Sequence, residues 1–262
     1  MALCVPPRGI LGDVHASRGP VGAVLRFLGA VLATSGVLLL ADAGLTLAWQ
    51  EPLTALSAAR AQSELDDQLG GQRRLARADE RALTTVRDPR RRLAALAAKA
   101  RERARGKKVA IGRVQLPTLG RSYAIVQGTD TATLRRGPGH YPGSPFPGQR
   151  GTVAIAGHRT TYGAPFRTID KLDRGDRIVL AMPYGRLMYT VTSTRIVLPT
   201  NLSVLKRVGY DQLLLTACHP LYSAARRIAV FARLRSFAPG PRSPSPSPAT
   251  RRLARTATTA RR

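Results

Sequence analysis

Between residues 109 and 238 short aliphatic and β-branched runs recur, each bounded by Gly, Pro or Asp: VAIGRVQL, SYAIVQG, GTVAIAG, DRIVLAM, LMYTVTSTRIV, DQLLLTA and RRIAVFARL. Runs of this length and composition predict strands, and MPYGR between the fourth and fifth predicts a tight hairpin turn. With one short helix predicted near NLSVLKRV, seven or eight strands at this spacing argue for a closed β-barrel or a sandwich.

The N-terminal part has a different pattern. FLGAVLATSGVLLLADAGLTLAW, residues 27–49, is interrupted by one acid, Asp42. As a helix it would be about 35 Å long, enough to span a hydrocarbon core of roughly 30 Å. Trp49 falls where an interfacial anchor is expected, and Arg8, Arg18 and Arg26 favour a cytoplasmic N-terminal tail over 1–26. A cleaved signal peptide is the rival reading, since ATSG and ADA are small enough for a cleavage site. The apolar run continues past both, which favours a retained single-pass anchor with the rest of the chain exported. Residues 50–108 are rich in Ala, Arg, Leu, Gln and Glu and predict a partly helical stalk. LAALAAKARERARGKK shows no wide apolar stripe, so poor packing is expected there. Residues 239–262 are Pro/Ser-rich and then basic, and predict a disordered tail.

Composition changes the picture in two ways. The formal charge is +27, but it is spread along the chain rather than gathered in one binding element. No zinc-ligand spacing, recognition-helix pattern or aromatic-and-basic strand pair accompanies it, so nucleic acid is not expected as a partner. Second, residues 109–238 contain three histidines and five aspartates but no glutamate. Paired-carboxylate chemistry and oxygen-rich metal sites are poorly supplied, and neither a metal nor a cofactor is expected.

The chain has two cysteines, Cys4 and Cys218, which the predicted topology places on opposite sides of a membrane. Cys218 is then a lone thiol in an exported domain, either a reactive group or a buried structural residue. A thiol attacks an amide carbonyl as its thiolate, which a nearby imidazole or guanidinium favours, and the resulting oxyanion needs a donor. Arg227 opens the strand that follows Cys218 after a short connection, and paired strands lie about 5 Å apart. His158 closes GTVAIAGH, so the three groups could meet at one end of a barrel.

AGHRTTYGAPF at 156–166 and LTACHPLYSAARRIAV at 215–230 closely resemble the two motif blocks of sortases, especially class E. GTDTATLRRGPGHYPGSPFPGQRGTVAIAG at 128–157 resembles the segment that precedes the histidine motif. The resemblance covers about 109–235. It implies an eight-stranded β-barrel transpeptidase with an N-terminal transmembrane helix, its catalytic domain outside a Gram-positive cell. It implies Cys218 as nucleophile, His158 as general acid/base and Arg227 as transition-state stabiliser. It also implies a sorting signal of the LAxTG or LPxTG type on secreted proteins, cut between Thr and Gly. The acyl group then passes to an amine of a wall precursor or a pilin. Tyr141 matches a position tied to LAxTG preference, and His140 borders the expected signal groove, so both are candidate substrate contacts. Leu214 and Ala217 stand where the family has threonines, and Ala217 is expected to remove a hydroxyl beside the nucleophile. Tyr162 and Phe166 are expected to anchor the loop after His158, and His219 to shape its own loop. An alternative function is a membrane-tethered basic barrel that binds anionic wall polymer without catalysis.

Overall fold

The computed structural model describes residues 20–48, 52–206 and 208–239. The expectations for the N-terminal tail before residue 20, with Cys4, Arg8 and Arg18, for Trp49, and for the tail beyond residue 239 lie outside the described residues. Two compact units divide at Ala48. In the first, helix α1 (Pro20–Ala48) is apolar along its length. Val21–Gly44 is long and apolar enough to cross a membrane, and side chains such as Leu28 and Leu40 are exposed.

The second unit is built on a closed barrel of eight strands: β1 (Ala110–Leu116), β2 (Arg121–Gln127), β3 (Gly139–His140), β4 (Thr152–Ala156), β5 (Arg177–Met182), β6 (Gly185–Val197), β7 (Gln212–His219) and β8 (Arg226–Pro239). Around the barrel the order is β1-β2-β3-β4-β7-β8-β6-β5, with β2/β3 and β4/β7 parallel and the other pairs antiparallel. Each of the seven aliphatic runs forms a strand. The hairpin at MPYGR closes β5 on β6 with Met182 opposite Gly185. The eighth strand, β3, has only two residues in a Gly/Pro-rich stretch, too short to leave a periodic signal. NLSVLKRV forms a single 3-10 turn, Leu202–Leu205, and a helix unforeseen in the sequence, α4 (Thr131–Arg136), is capped by the Asp130 side chain.

Alternation along β7 explains its sequence. Leu213, Leu215 and Ala217 join Val153, Ile155, Ile228 and Val230 in the interior, whereas Leu214 packs with Ala154, Ala229 and Phe231 on the outer face. Both faces are covered, so the run is continuously apolar instead of alternating.

Residues 52–108 do not form a poorly packed stalk. They fold as helices α2 (Pro52–Ala82) and α3 (Pro89–Ala104), both seated on the barrel. Leu65 and Leu69 of α2 bury themselves against Ala110, Ala124 and Val126, on the outer face of β1 and β2. Leu93, Leu96 and Ala97 of α3 enter the main core, where Leu93 lies against Gly148 so closely that a Cβ there would stand 2.9 Å from its Cγ. Fully burying a leucine stabilises by about 1.5–3 kcal/mol, enough to hold each helix down. Asp88 caps α3, Arg113 pairs with Asp66, and Arg103 with Asp79 at 2.5 Å.

Leu65→Ala and Leu96→Ala should each lower the unfolding free energy of the full chain in detergent by about 2–4 kcal/mol, read by urea denaturation. Leu75→Ala, at a 49% exposed position of the same α2, should change it by less than about 0.5 kcal/mol. Equal effects at the three positions would contradict the packing of α2 on the barrel.

Candidate active site

The register of three strands assembles the site. In the antiparallel β7/β8 ladder Cys218 stands directly opposite Arg227. In the parallel β4/β7 ladder Ala156 stands beside Thr216, and the Gly157 N–H extends the ladder to the Thr216 carbonyl at 3.0 Å. His158 is two residues beyond that pair on one strand and Cys218 two residues beyond it on the other, so both belong to the same end of the ladder. Side chains alternate in a strand, so Leu214, Thr216 and Cys218 share the outer face. The structure thus puts the thiol at the end of an apolar cluster on the outside of the barrel, where the signal groove is expected. Ala154, Leu214, Ala229 and Phe231 are buried in that cluster, with Tyr141, Val197, Val204 and Leu205 packed against them.

Cys218 is a free thiol, half-buried. Arg227 is also half-buried, and its Nη1 donates to the carbonyls of Ala224 at 2.9 Å and Arg226 at 3.1 Å. Those bonds tether the guanidinium to the β7–β8 loop. Arg226, its neighbour, is exposed.

His158 is half-buried, yet its Nε2 is sealed from water and has no hydrogen-bond partner among the described residues. Leaving a buried ring nitrogen unsatisfied costs about 1–3 kcal/mol, which marks a position held for something other than stability. Burial, and after it the charge of Arg135, holds the His158 pKa below its ordinary 6.5. The ring is therefore neutral at pH 7 and can take up a proton.

The loop 157–168 carries this histidine. Phe166 is buried, its N–H returns to the His158 carbonyl at 3.0 Å, and its ring lies so close to Gly157 that a Cβ there would meet it at 2.6 Å. Tyr162 lies against the imidazole, with ring centroids 5.2 Å apart. Both residues anchor the loop as expected.

Arg159, which sequence reasoning passed over, is 3% exposed and ties the two halves of the site together. It pairs with Asp170 at 2.8 Å and donates to the Arg167 carbonyl at 3.0 Å. It also reaches the Cys218 carbonyl at 3.5 Å and His219 Nδ1 at 3.2 Å, which must accept because a guanidinium only donates. Its place next to His158 was the only signal, since sequence does not reveal that an arginine is buried.

The remaining candidates separate. Tyr141 flanks the groove, its hydroxyl 3.3 Å from Thr216 Oγ1, on the same face as the thiol. His140 does not line the groove. It is fully buried, with Nδ1 2.9 Å from Gln127 Oε1, Nε2 3.0 Å from both the Pro145 carbonyl and Ser144 Oγ, and its ring edge-on to Phe146. Adjacent residues of a strand face opposite ways, so Tyr141 and His140 could not both face the signal. Ala217 also corrects an expectation: it points into the interior opposite Ile228, and the hydroxyl on the nucleophile's face belongs to Thr216. Among the described residues no three His, Cys, Asp or Glu side chains gather as a ligand set.

The chain thus carries a closed mixed β-barrel whose register brings His158, Cys218 and Arg227 to the same end of the β4, β7 and β8 ladders. Residues 114–235 match the sortase domain family. Sortase D of Bacillus subtilis (strain 168) is 34% identical over 112 residues, covering 42% of this chain and 55% of that protein. Sortase SrtE1 of Streptomyces coelicolor is 34% identical over 93 residues, covering 32% and 26%. The chain therefore spans about half the length of the first relative and about a quarter of the second. A solved structure of sortase E from Streptomyces avermitilis is 35% identical, covering 50% of this chain and 90% of that one, with a TM-score of 0.46. Residues 114–235 are thus a sortase domain, and the sortase relatives are cysteine transpeptidases.

His140 makes a testable link between pH and stability. Burial outweighs the Pro145 hydrogen bond and pushes its pKa down to about 4. Below pH 6.5 the unfolded chain takes up a proton that the folded ring refuses until about pH 4. Stability supplied by the neutral ring is therefore complete above pH 6.5 and lost as pH falls towards 4, by about 2–3 kcal/mol. His140→Gln should be less stable at pH 7 but show a flatter decline over that window in urea denaturation. Parallel pH profiles for the two proteins would contradict the burial of a neutral ring.

Proposed function

We propose that this chain is a membrane-anchored sortase that cuts a sorting signal between Thr and Gly and passes the acyl group to an amine. The observation that carries the reading is the register that sets Cys218 opposite Arg227 at the end of an apolar outer cluster, at the same ladder end as an imidazole with an unsatisfied nitrogen.

The signal lies along the groove with its aliphatic side chains on the floor and its scissile carbonyl over Cys218. His158, neutral at pH 7, accepts the thiol proton as sulfur attacks the Thr carbonyl carbon. Arg227 supplies the oxyanion donor, for its bonds to the Ala224 and Arg226 carbonyls both leave from Nη1. His158 then returns the proton to the departing Gly amine, leaving a thioacyl bond on Cys218. An amine from a wall precursor or a pilin attacks that bond, giving up a proton to His158, and the thiol is restored. Tyr141, bonded to Thr216, is the candidate contact for the signal residue that distinguishes LAxTG from LPxTG. The α1 helix is the anchor, with the N-terminal end cytoplasmic and the barrel outside. The substrates are secreted proteins that carry the signal.

A second reading has one observation in its favour. Arg90, Arg150, Arg233 and Arg235 surround an open cleft of about 310 Å³, with Asp211 as the one acid. A barrel that gripped anionic wall polymer there would bind it whether or not Cys218 were intact.

With a labelled LAxTG peptide and a small amine, the chain should form a new amide bond, and mass spectrometry should find the acyl fragment on Cys218. Cys218→Ala should abolish transfer, and Arg227→Lys should lower kcat/KM by roughly a hundredfold or more. Transfer that survives Cys218→Ala would overturn the proposal, as would polymer binding as the sole activity of a folded, reduced protein.

A further inference from the structure

We propose that the first turns of α2 position the His158 loop for catalysis, through a hydrogen bond from the Tyr162 N–H to Thr54 Oγ1. The inference rests on the transpeptidase reading and adds to it a positioning element outside residues 114–235, the part that matches the family.

The loop needs holding. Tyr162, Gly163 and Ala164 have φ values of 51°, 73° and 41°, three successive left-handed residues, two of them carrying a side chain. Each such non-glycine residue costs on the order of 1–3 kcal/mol and persists only where its surroundings enforce it. From the barrel side the support is long: Tyr123 Oη reaches the Gly163 carbonyl at 3.4 Å and Arg121 the Ala164 carbonyl at 3.5 Å. From α2 it is shorter, with Thr54 Oγ1 accepting from the Tyr162 N–H at 3.1 Å. One turn on, Ala58 is buried against the loop so closely that a Cβ on Gly163 would stand 3.3 Å from its own.

Gln62 sets the height of α2 on the barrel. Its amide accepts from the Ala124 N–H at 2.7 Å and donates to the Arg136 carbonyl at 2.9 Å. Between this clasp and the Thr54 bond lies a cavity of about 190 Å³, with Ala55 and Ala59 on the helix side and Tyr162 and Pro165 on the loop side. Packing between helix and loop is therefore thin, and the Thr54 bond carries a large share of the constraint.

The consequence reaches the site because Tyr162 lies against the imidazole on one side and under the Arg135 guanidinium, 5.5 Å from its ring centroid, on the other. A shift at residue 162 moves the wall that shields His158 and the cation nearest to it. Errors of about 1 Å in placing a catalytic group cost up to a hundredfold in rate, so a loosened loop lowers turnover more than substrate binding.

The test uses the full chain in detergent with three substitutions: Thr54→Val, which keeps the shape and removes the acceptor, Thr54→Ser, which restores it, and Ala58→Leu, which pushes helix and loop apart. Thr54→Val should lower kcat for peptide transfer about five- to tenfold, with KM within about twofold and little change in Tm. The NMR titration midpoint of the His158 ring should move up towards 6.5 as the loop opens to water, with Arg135 the charge that acts on it. Ala58→Leu should act in the same direction, and Thr54→Ser should restore both readouts. The titration needs no sorting signal, so a wild-type protein that transfers no peptide would sink the transpeptidase reading while the positioning effect is still read at His158. Folded Thr54→Val and Ala58→Leu proteins with wild-type kcat and titration would overturn the inference. So would losses that track a fall in Tm and are not restored by Thr54→Ser.

Discussion

The site depends on one ladder of backbone hydrogen bonds. Strand β7 is paired on one side with β4 in parallel and on the other with β8 antiparallel, and these two registers decide which side chains meet. A slip of one residue in β7 would turn Cys218 into the interior and bring Ala217 to the groove, because strand side chains alternate with a period of two. The leucines alone would not prevent it, since Leu213, Leu214 and Leu215 look alike after a slip, but Thr216 would then enter the interior that Ala217 fills opposite Ile228. The order of polar and apolar residues after the leucine run thus fixes the place of the thiol.

The chemistry sits where the ladder ends and the backbone becomes irregular. Ladder bonds satisfy the chain up to Gly157, and beyond that point the loop is held by its own turns, such as the Phe166 N–H bond to the His158 carbonyl, and by side chains. Arg159 fastens it to the β7 end, Phe166 fills the space above Gly157, and α2 supports its left-handed turn from outside. The unsatisfied His158 nitrogen and the left-handed Tyr162 are both unfavourable in isolation, and both occur within this one loop. The barrel and helices offset those local costs and hold the imidazole ready to exchange a proton.

The barrel was largely legible because each strand except β3 carries a run of aliphatic residues bounded by turn formers. The catalytic candidates were legible from chemistry: a lone thiol, a scarcity of carboxylates, and motif blocks in a definite order. The packing of residues 50–108 was missed although its signal was present. Ala58, Leu65, Leu69 and Ala76 recur at intervals of seven, four and seven, a narrow coiled-coil-like stripe instead of the wide one sought. On α3 the buried residues Leu93, Leu96, Ala97 and Ala104 recur at intervals of three, one and seven, again a narrow stripe. His140, by contrast, could not have been sorted from Tyr141 by sequence. Only the backbone where β3 ends sends His140 inward to Gln127 and the next residue, Tyr141, outward to Thr216. Arg159 was illegible for a related reason, since the carbonyls that satisfy it come from segments distant in the chain.

The arrangement of sulfur, imidazole and guanidinium is tested most directly by a crystal structure of the protein joined through Cys218 to a Leu-Ala-x-Thr peptide whose terminal carbonyl is replaced by a disulfide-forming thiol group. The account predicts a peptide lying over Leu214 and Phe231, Tyr141 touching it, the His158 ring beside the sulfur, and an Arg227 N–H turned to the peptide at about 2.7–3.2 Å. A peptide directed away from that groove, or an Arg227 side chain separated from it by other protein groups, would contradict the account.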